Sequence, residues 1–279
     1  MFNNNTLSRY GRHIYLLKKL KTIAVVFFSI LAIIASVLII SRLKNGVSNE
    51  KNELLKIWNS GNYDQAYQIS KNALFQQPID YFLLTINGFS AYQLGISQIN
   101  SQDMLSYIDK SIFSLRKALL HKDASNDGRV FYVLGKAYGY KGSEYSDLAI
   151  KYLLKADDMS YNAEDIPEYL GLAYASCGDY RNSVAAFSKA FVPGKSASDT
   201  LLLSIARSYM EMEEYDMAGG YLKRCVDVSP DSRSVIIARL LLAEIYRLTG
   251  EYNTAENQYL SIINDSGENA EVYYQLGEL

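Results

Sequence analysis

Apolar and polar positions change rhythm along this chain. Residues 22–41, TIAVVFFSILAIIASVLIIS, form a run of twenty without a charge. From about residue 48 onward the apolar positions recur every three or four residues, in paired segments parted by short turns. That period matches the turn of an α-helix, so each segment is predicted to be a helix with one buried face. Such pairs in tandem predict a stack of helical hairpins, each hiding its apolar side on the next.

The uncharged run has a different meaning. At about 1.5 Å per residue it spans roughly 30 Å as a helix, the thickness of a bilayer's hydrocarbon core. Within lipid every backbone amide needs a partner in its own segment, which a helix supplies. A cleaved signal peptide has a shorter core, of about 7–15 residues, and then a small-x-small site. Here Arg42-Leu43-Lys44-Asn45 follows, and the first cysteine is Cys177, too distant for a lipoprotein. The expectation is one uncleaved transmembrane helix over 22–41, between a basic segment (1–21) and a linker (42–47). Arg9, Arg12, Lys18, Lys19 and Lys21 precede it, while only Arg42 and Lys44 closely follow. That bias puts the N-terminus in the cytoplasm and the body in the periplasm of a bacterium, as a single-pass inner-membrane protein. A mitochondrial outer-membrane anchor with a cytosolic body is the competing arrangement.

The body, 48–279, repeats itself. One stretch has Leu170-Gly171, Tyr174, Gly178, Tyr180, Ser183, Phe187 and Ala190. The next has Ile205-Ala206, Tyr209, Glu213, Tyr215, Ala218, Leu222, Cys225 and Pro230, and a third has Leu242-Ala243, Tyr246, Gly250, Tyr252, Ala255, Tyr259 and Ile262. Tyr138, Tyr174, Tyr209 and Tyr246 recur at intervals of 36, 35 and 37 residues. Small residues at Gly171, Ala206 and Ala243 let a neighbouring helix approach. Gly178 and Gly250 permit turn angles that a side chain penalises. Tyr180, Tyr215 and Tyr252 are expected to fill space between hairpins, which makes the excess of 24 tyrosines mostly structural.

These residues resemble the tetratricopeptide repeat family, whose pattern is Leu-Gly, Tyr, a small turn residue, then Ala, an aromatic, Ala and Pro. The resemblance covers about 48–279, in approximate units 48–80, 81–127, 128–163, 164–198, 199–235 and 236–269, with a partial unit at 270–279. About eleven residues within Ile96–Tyr107 look inserted between the helices of the second unit. The fold expected is all-α: the transmembrane helix, then a right-handed solenoid of about six hairpins. The final Tyr-Tyr-Gln-Leu-Gly-Glu-Leu is expected to be a short cap, a partner-covered end, or the start of more chain.

Composition removes most catalytic classes. Two histidines, His13 and His121, and two cysteines, Cys177 and Cys225, leave no room for a multi-histidine or cysteine-rich metal site or for an ordinary set of imidazole catalysts. No phosphate loop, zinc-protease helix or serine elbow appears, so no catalytic, cofactor or metal residue is expected. Asp157-Asp158, Asp64 and Glu211 to Glu214 fit solvated faces. Cys225 takes a buried small-residue position, and no bond to Cys177 is expected. His121 fits a helix C-terminus, and Trp58 fits packing in the first hairpin. The net charge of −2 conceals seven Lys/Arg and no acid in residues 1–44, leaving 21 basic against 30 acidic residues thereafter, a net −9. An acidic body without a basic stripe argues against nucleic acid.

The family resemblance implies an inner groove lined by first helices. Projected onto this chain it contains Phe82, Phe89, Tyr92, Arg129, Tyr132, Lys136, Tyr140, Leu203, Arg207, Met210 and Arg247. Aromatics with scattered cations fit a peptide, a helix or another envelope protein as partner. Convex faces, edges and the insertion are alternatives. The chaperone-binding members clamp a terminal carboxylate with Lys and Asn, where this chain has Asn52, Leu55, Thr85, Phe89, Tyr132, Lys136, Glu168 and Leu172; the clamp is absent. The expected function is a non-enzymatic scaffold bracing a multiprotein envelope complex, as in secretion, outer-membrane assembly or the periplasmic part of a flagellar motor. The alternative is a chaperone-like factor beside the translocon that binds unfolded clients.

Overall fold

A computed structural model describes residues 49–191, 197–266 and 270–279. The expected membrane span, 22–41, and the flanking segments 1–21 and 42–47 lie outside the described residues. Among the described residues no helix is long and apolar enough to cross a membrane. The chain divides into two compact units, Met1–Asn62 and Tyr63–Leu279, so the division falls inside the first expected repeat. In the first unit residues 49–59 form α1, which ends at Gly61 with φ +80°.

The second unit holds α2 (Tyr63–Leu74), α3 (Tyr81–Ile96), α4 (Ser101–Ala118), α5 (Gly128–Lys141), α6 (Ser146–Asp158) and α7 (Ile166–Ser176). It continues with α8 (Tyr180–Lys189), α9 (Asp199–Glu211), α10 (Tyr215–Val228), α11 (Ser232–Leu248), α12 (Tyr252–Ser266) and α13 (Ala270–Gly277). Two 3-10 turns, Lys122–Asn126 and Ser143–Tyr145, complete it, and the described residues include no strand. The architecture is all-α and solenoid-like.

Side chains at the starts and carbonyls at the ends set the helix limits. Asp80, Asn100, Asp127, Asp179, Ser198 and Asp231 each accept a hydrogen bond from an N–H of the first turn that follows. Those N–H groups have no partner within the helix, and each cap contributes about 1 kcal/mol. At the helix ends one device recurs. The N–H groups of Asp179, Glu214 and Glu251 donate to the carbonyls of Tyr174, Tyr209 and Tyr246 at 2.9, 2.9 and 2.7 Å. The residue just before each donor has positive φ: Gly178 (+80°), Glu213 (+60°) and Gly250 (+79°). The fixed distance from repeat tyrosine to turn residue is the length of this closing bond.

Packing runs from hairpin to hairpin. Leu153, Ala156, Ile166, Leu170 and Ala186 join α6, α7 and α8. Phe187, Leu201 and Ile205 join α8 to α9. Leu202, Ala206, Ala218, Leu222, Cys225, Ala238, Leu242 and Ile245 join α9, α10 and α11. Ala243, Ala255, Tyr259, Ile262 and Val272 carry the core on to α13. A Cβ on Gly171 would lie 2.5 Å from the Phe187 ring, so only glycine lets these helices meet so closely. In addition α3, α5, α7, α9 and α11 each touch the next of the series, which gives the odd-numbered helices a shared face.

The structure departs from the sequence expectations in several places. Residues 101–107 do not loop out of the second hairpin; Asn100 caps them into α4, which is lengthened to Ala118. Helix α11 starts at Ser232, four residues before the expected boundary, because Asp231 after Pro230 captures the N–H groups of Arg233 and Ser234. Tyr252 is exposed rather than wedged between hairpins, unlike the half-buried Tyr180 and Tyr215. His121 follows the end of α4, where its backbone N–H donates to the Ala118 carbonyl at 2.9 Å, while its side chain turns to the next segment: Nδ1 accepts from the Asp123 N–H at 3.2 Å and the ring lies 5.5 Å from that of Tyr81.

Candidate functional site

The shared face of α5 and α7 carries the best-formed polar cluster. Lys136 Nζ on α5 donates to Asp165 Oδ2 at 2.8 Å and to Tyr132 Oη at 2.9 Å. Tyr132 Oη in turn donates to the Asp165 carboxylate at 2.8 Å. Spacing of four places Tyr132 and Lys136 on one side of α5, and Asp165 stands just before the first turn of α7. The Lys136 ammonium also lies 4.1, 4.9 and 5.9 Å from the ring centroids of Tyr169, Tyr132 and Tyr92, an aromatic cage around a cation.

Charge and burial reinforce one another here. Burial disfavours the Lys136 cation, but hydrogen bonds to Asp165 and Tyr132 outweigh that and raise its pKa. The Tyr132 phenol is pushed up to about 12, chiefly by burial, with the Lys136 bond opposing and Asp165 assisting. Burial also pushes Tyr92 well above the usual phenol range.

Beside this cluster opens a cavity of about 440 Å³. Lys136, Gly139 and Tyr140 line it from α5, Glu168, Tyr169, Leu172 and Ser176 from α7, and Thr200 from α9. Gly139 faces open space, with no atom within 4 Å of where a Cβ would stand. The walls are mostly aromatic and aliphatic, with Glu168, Ser146, Ser176 and Thr200 among them, and the one ammonium is already paired. Such a surface can bury apolar side chains of a guest and orient them by a few polar contacts. Neither His121 nor either free thiol lines it; Cys177 is exposed and Cys225 is buried in the α9–α11 core. Among the described residues no His, Cys, Asp and Glu cluster is arranged to hold a metal ion.

The eleven sequence-projected groove residues do not all meet. Tyr92, Tyr132, Lys136 and Tyr140 come together, with the Tyr92 and Tyr140 rings edge to face at 6.2 Å. Phe89 and Tyr92 are buried, at 8% and 4% exposure, so they underlie the face instead of presenting it. Phe82 is half-buried on α3. Arg129 is bound to Asp127 at 2.7 Å and lies 6.0 Å from the Phe89 ring. Leu203 and Met210 pack against the α9–α11 core, and Arg207 is exposed. Arg247 is spent on Glu244 of its own helix at 2.6 Å. Asp165, Tyr169 and Ser176 were missed. Ser176, with Glu168 and Leu172, stands 36 residues after Tyr140, Tyr132 and Lys136, so stepping the third unit forward by one repeat would have found it.

Residues 201–235, from α9 to the first turn of α11, match the tetratricopeptide repeat family model. The fold is that of a tetratricopeptide repeat array. The C-terminal part of a tetratricopeptide repeat-containing protein from Cytophaga hutchinsonii has a TM-score of 0.58 at 15% identity, over 77% of this chain and 78% of that one. PilF of Pseudomonas aeruginosa has a TM-score of 0.54 at 18% identity, over 82% and 96%. MamA from AMB-1 has 0.53 at 20% identity, over 64% and 96%. At these identities the likeness is one of fold. No curated protein matches the sequence.

Proposed function

We propose that this chain is a non-catalytic scaffold whose odd-helix face docks a segment of a protein partner, and that residues 22–41 tether it to a membrane. The observation that carries the docking reading is the open cavity between α5 and α7, walled by Tyr140, Tyr169 and Leu172 beside the paired Lys136 and Asp165. A preformed apolar cavity next to a fixed polar cluster favours a guest's side chains over a chemical step. The tether rests on the twenty-residue uncharged run, and its orientation on the cations before it. In this reading the body stands in the periplasm and braces a multiprotein envelope complex.

Photo-crosslinking in whole cells tests the docking reading. A crosslinkable residue in place of Tyr140 or Leu172 is expected to capture one or two defined proteins, and one in place of Lys155, exposed on α6, is expected to capture neither. Equal capture from both faces overturns the reading. Protease added to intact spheroplasts is expected to cut the body; protection until lysis overturns the orientation.

A further inference from the structure

A second cleft, of about 510 Å³, lies between α2 and α4. Its floor is Leu84 and Asn87 of α3, about half a turn around that helix from Phe82 and Phe89. The floor is rigid, because Asn87 donates to the Tyr67 carbonyl and Ser70 Oγ and accepts from Ser114 Oγ at 2.8 Å, tying three helices together. Lys71 lines one wall, and Lys110, Phe113 and Lys117 line the other. Among the described residues none of these three lysines has a carboxylate partner. The single acid in the lining, Asp109, is neutralised by Lys141 at 2.6 Å.

Exposed apolar groups gather in the same part of the chain. Phe113 is 70% exposed, Phe75 and Leu120, just past the ends of α2 and α4, are 80% and 86% exposed, and Ile79, just before the cap of α3, is 71% exposed. Uncovered large side chains rimmed by like charges mark an interaction surface. We propose that this cleft is a second docking surface, and that its occupant is an acidic amphipathic segment of a partner protein. Its apolar residue packs on Phe113 in the cleft, and its carboxylates meet Lys71, Lys110 and Lys117. Charge complementarity carries the choice of occupant: the cleft is locally cationic on a body of net −9 beyond residue 44. A concave, Asn87-floored cleft is filled by a side chain and not by the flat surface of a bilayer.

The test uses the full chain in zwitterionic lipid nanodiscs and a fluorescent peptide alternating Glu and Asp with Leu and Phe, beside the same peptide carrying Lys for each acid. The acidic peptide is expected to bind at least about tenfold more tightly than the basic one and to weaken as salt rises. Lys110→Glu with Lys117→Glu, and separately Phe113→Asp, are each expected to weaken it by about tenfold or more. Lys155→Glu is expected to change it by less than about twofold. Far-UV circular dichroism of each variant confirms retained helix, since the replaced groups are exposed or half-buried. Equal affinity for both peptides, loss with Lys155→Glu, or capture of phosphatidylglycerol vesicles in place of the peptide overturns the proposal. Crosslinking at Tyr140 reports on the other face, so failure of one reading is separable from failure of the other.

Discussion

Lys136 and Asp165, 29 positions apart in sequence, meet at 2.8 Å and join α5 to the start of α7. The lysine side chain is 12% exposed and the aspartate 36%, so the pair is neither fully buried nor a freely solvated surface contact. It sits where one hairpin ends its grip on the next, at the edge of the candidate cavity.

Breaking that pair is expected to cost stability from either side. Lys136→Met strands a carboxylate and Asp165→Asn strands an ammonium among tyrosine rings; each should cost about 1–2 kcal/mol, less than a deeply buried pair because Asp165 reaches solvent. The double replacement should cost less than the two summed. Urea denaturation of the four proteins measures the coupling, and strictly additive effects would contradict it.

Two glycines should respond in opposite directions to the same methyl group. Gly171→Ala drives a Cβ into the Phe187 ring and is expected to destabilise by about 1–3 kcal/mol. Gly220→Ala, inside α10 and facing open space, is expected to stabilise by about 0.5–1 kcal/mol. Thermal melts of the pair decide it.

Glu213 occupies the turn position that Gly178 and Gly250 hold in neighbouring repeats, at φ +60°. Glu213→Gly relieves a left-handed backbone that disfavours a side chain, at the expense of a more flexible unfolded chain. The expected net gain is about 0.5–1 kcal/mol. A lower melting temperature would refute it.

Alkali should loosen this region. The Tyr132 phenol stands at about 12 when folded against 10.0 for the free group, so its contribution is complete below pH 10 and is lost as pH rises towards 12. Lys136 is raised too, and works in the same direction. Denaturation midpoints should fall over that window, and Tyr132→Phe should fall less steeply. A phenolate signal present in the wild type but missing from Tyr132→Phe, appearing near pH 10 with the fold intact, would contradict the assignment.

How much was legible in advance differs between levels. The closing bonds from Asp179, Glu214 and Glu251 to their tyrosine carbonyls span five residues, and spacing that short is written directly in the repeat pattern. Tyr132, Lys136 and Tyr140 were found because the repeat resemblance projects a groove onto their face of α5. Phe89 looked equally available, yet it is buried, since burial depends on what α5 lays over α3 and not on the period of α3. Arg247 looked free for a partner until its helix neighbour Glu244 claimed it.

Sequence alone determined the helices, their hairpin pairing and most turn positions, because these follow from a hydrophobic period and from caps a few residues away. Tertiary structure decided that Asp165 and Tyr169 close on Lys136 and that Lys71 meets Lys110 and Lys117 across a cleft. Those meetings depend on the angle and distance at which one hairpin settles on another. Helix packing sets that geometry through many side chains at once, so no local spacing records it.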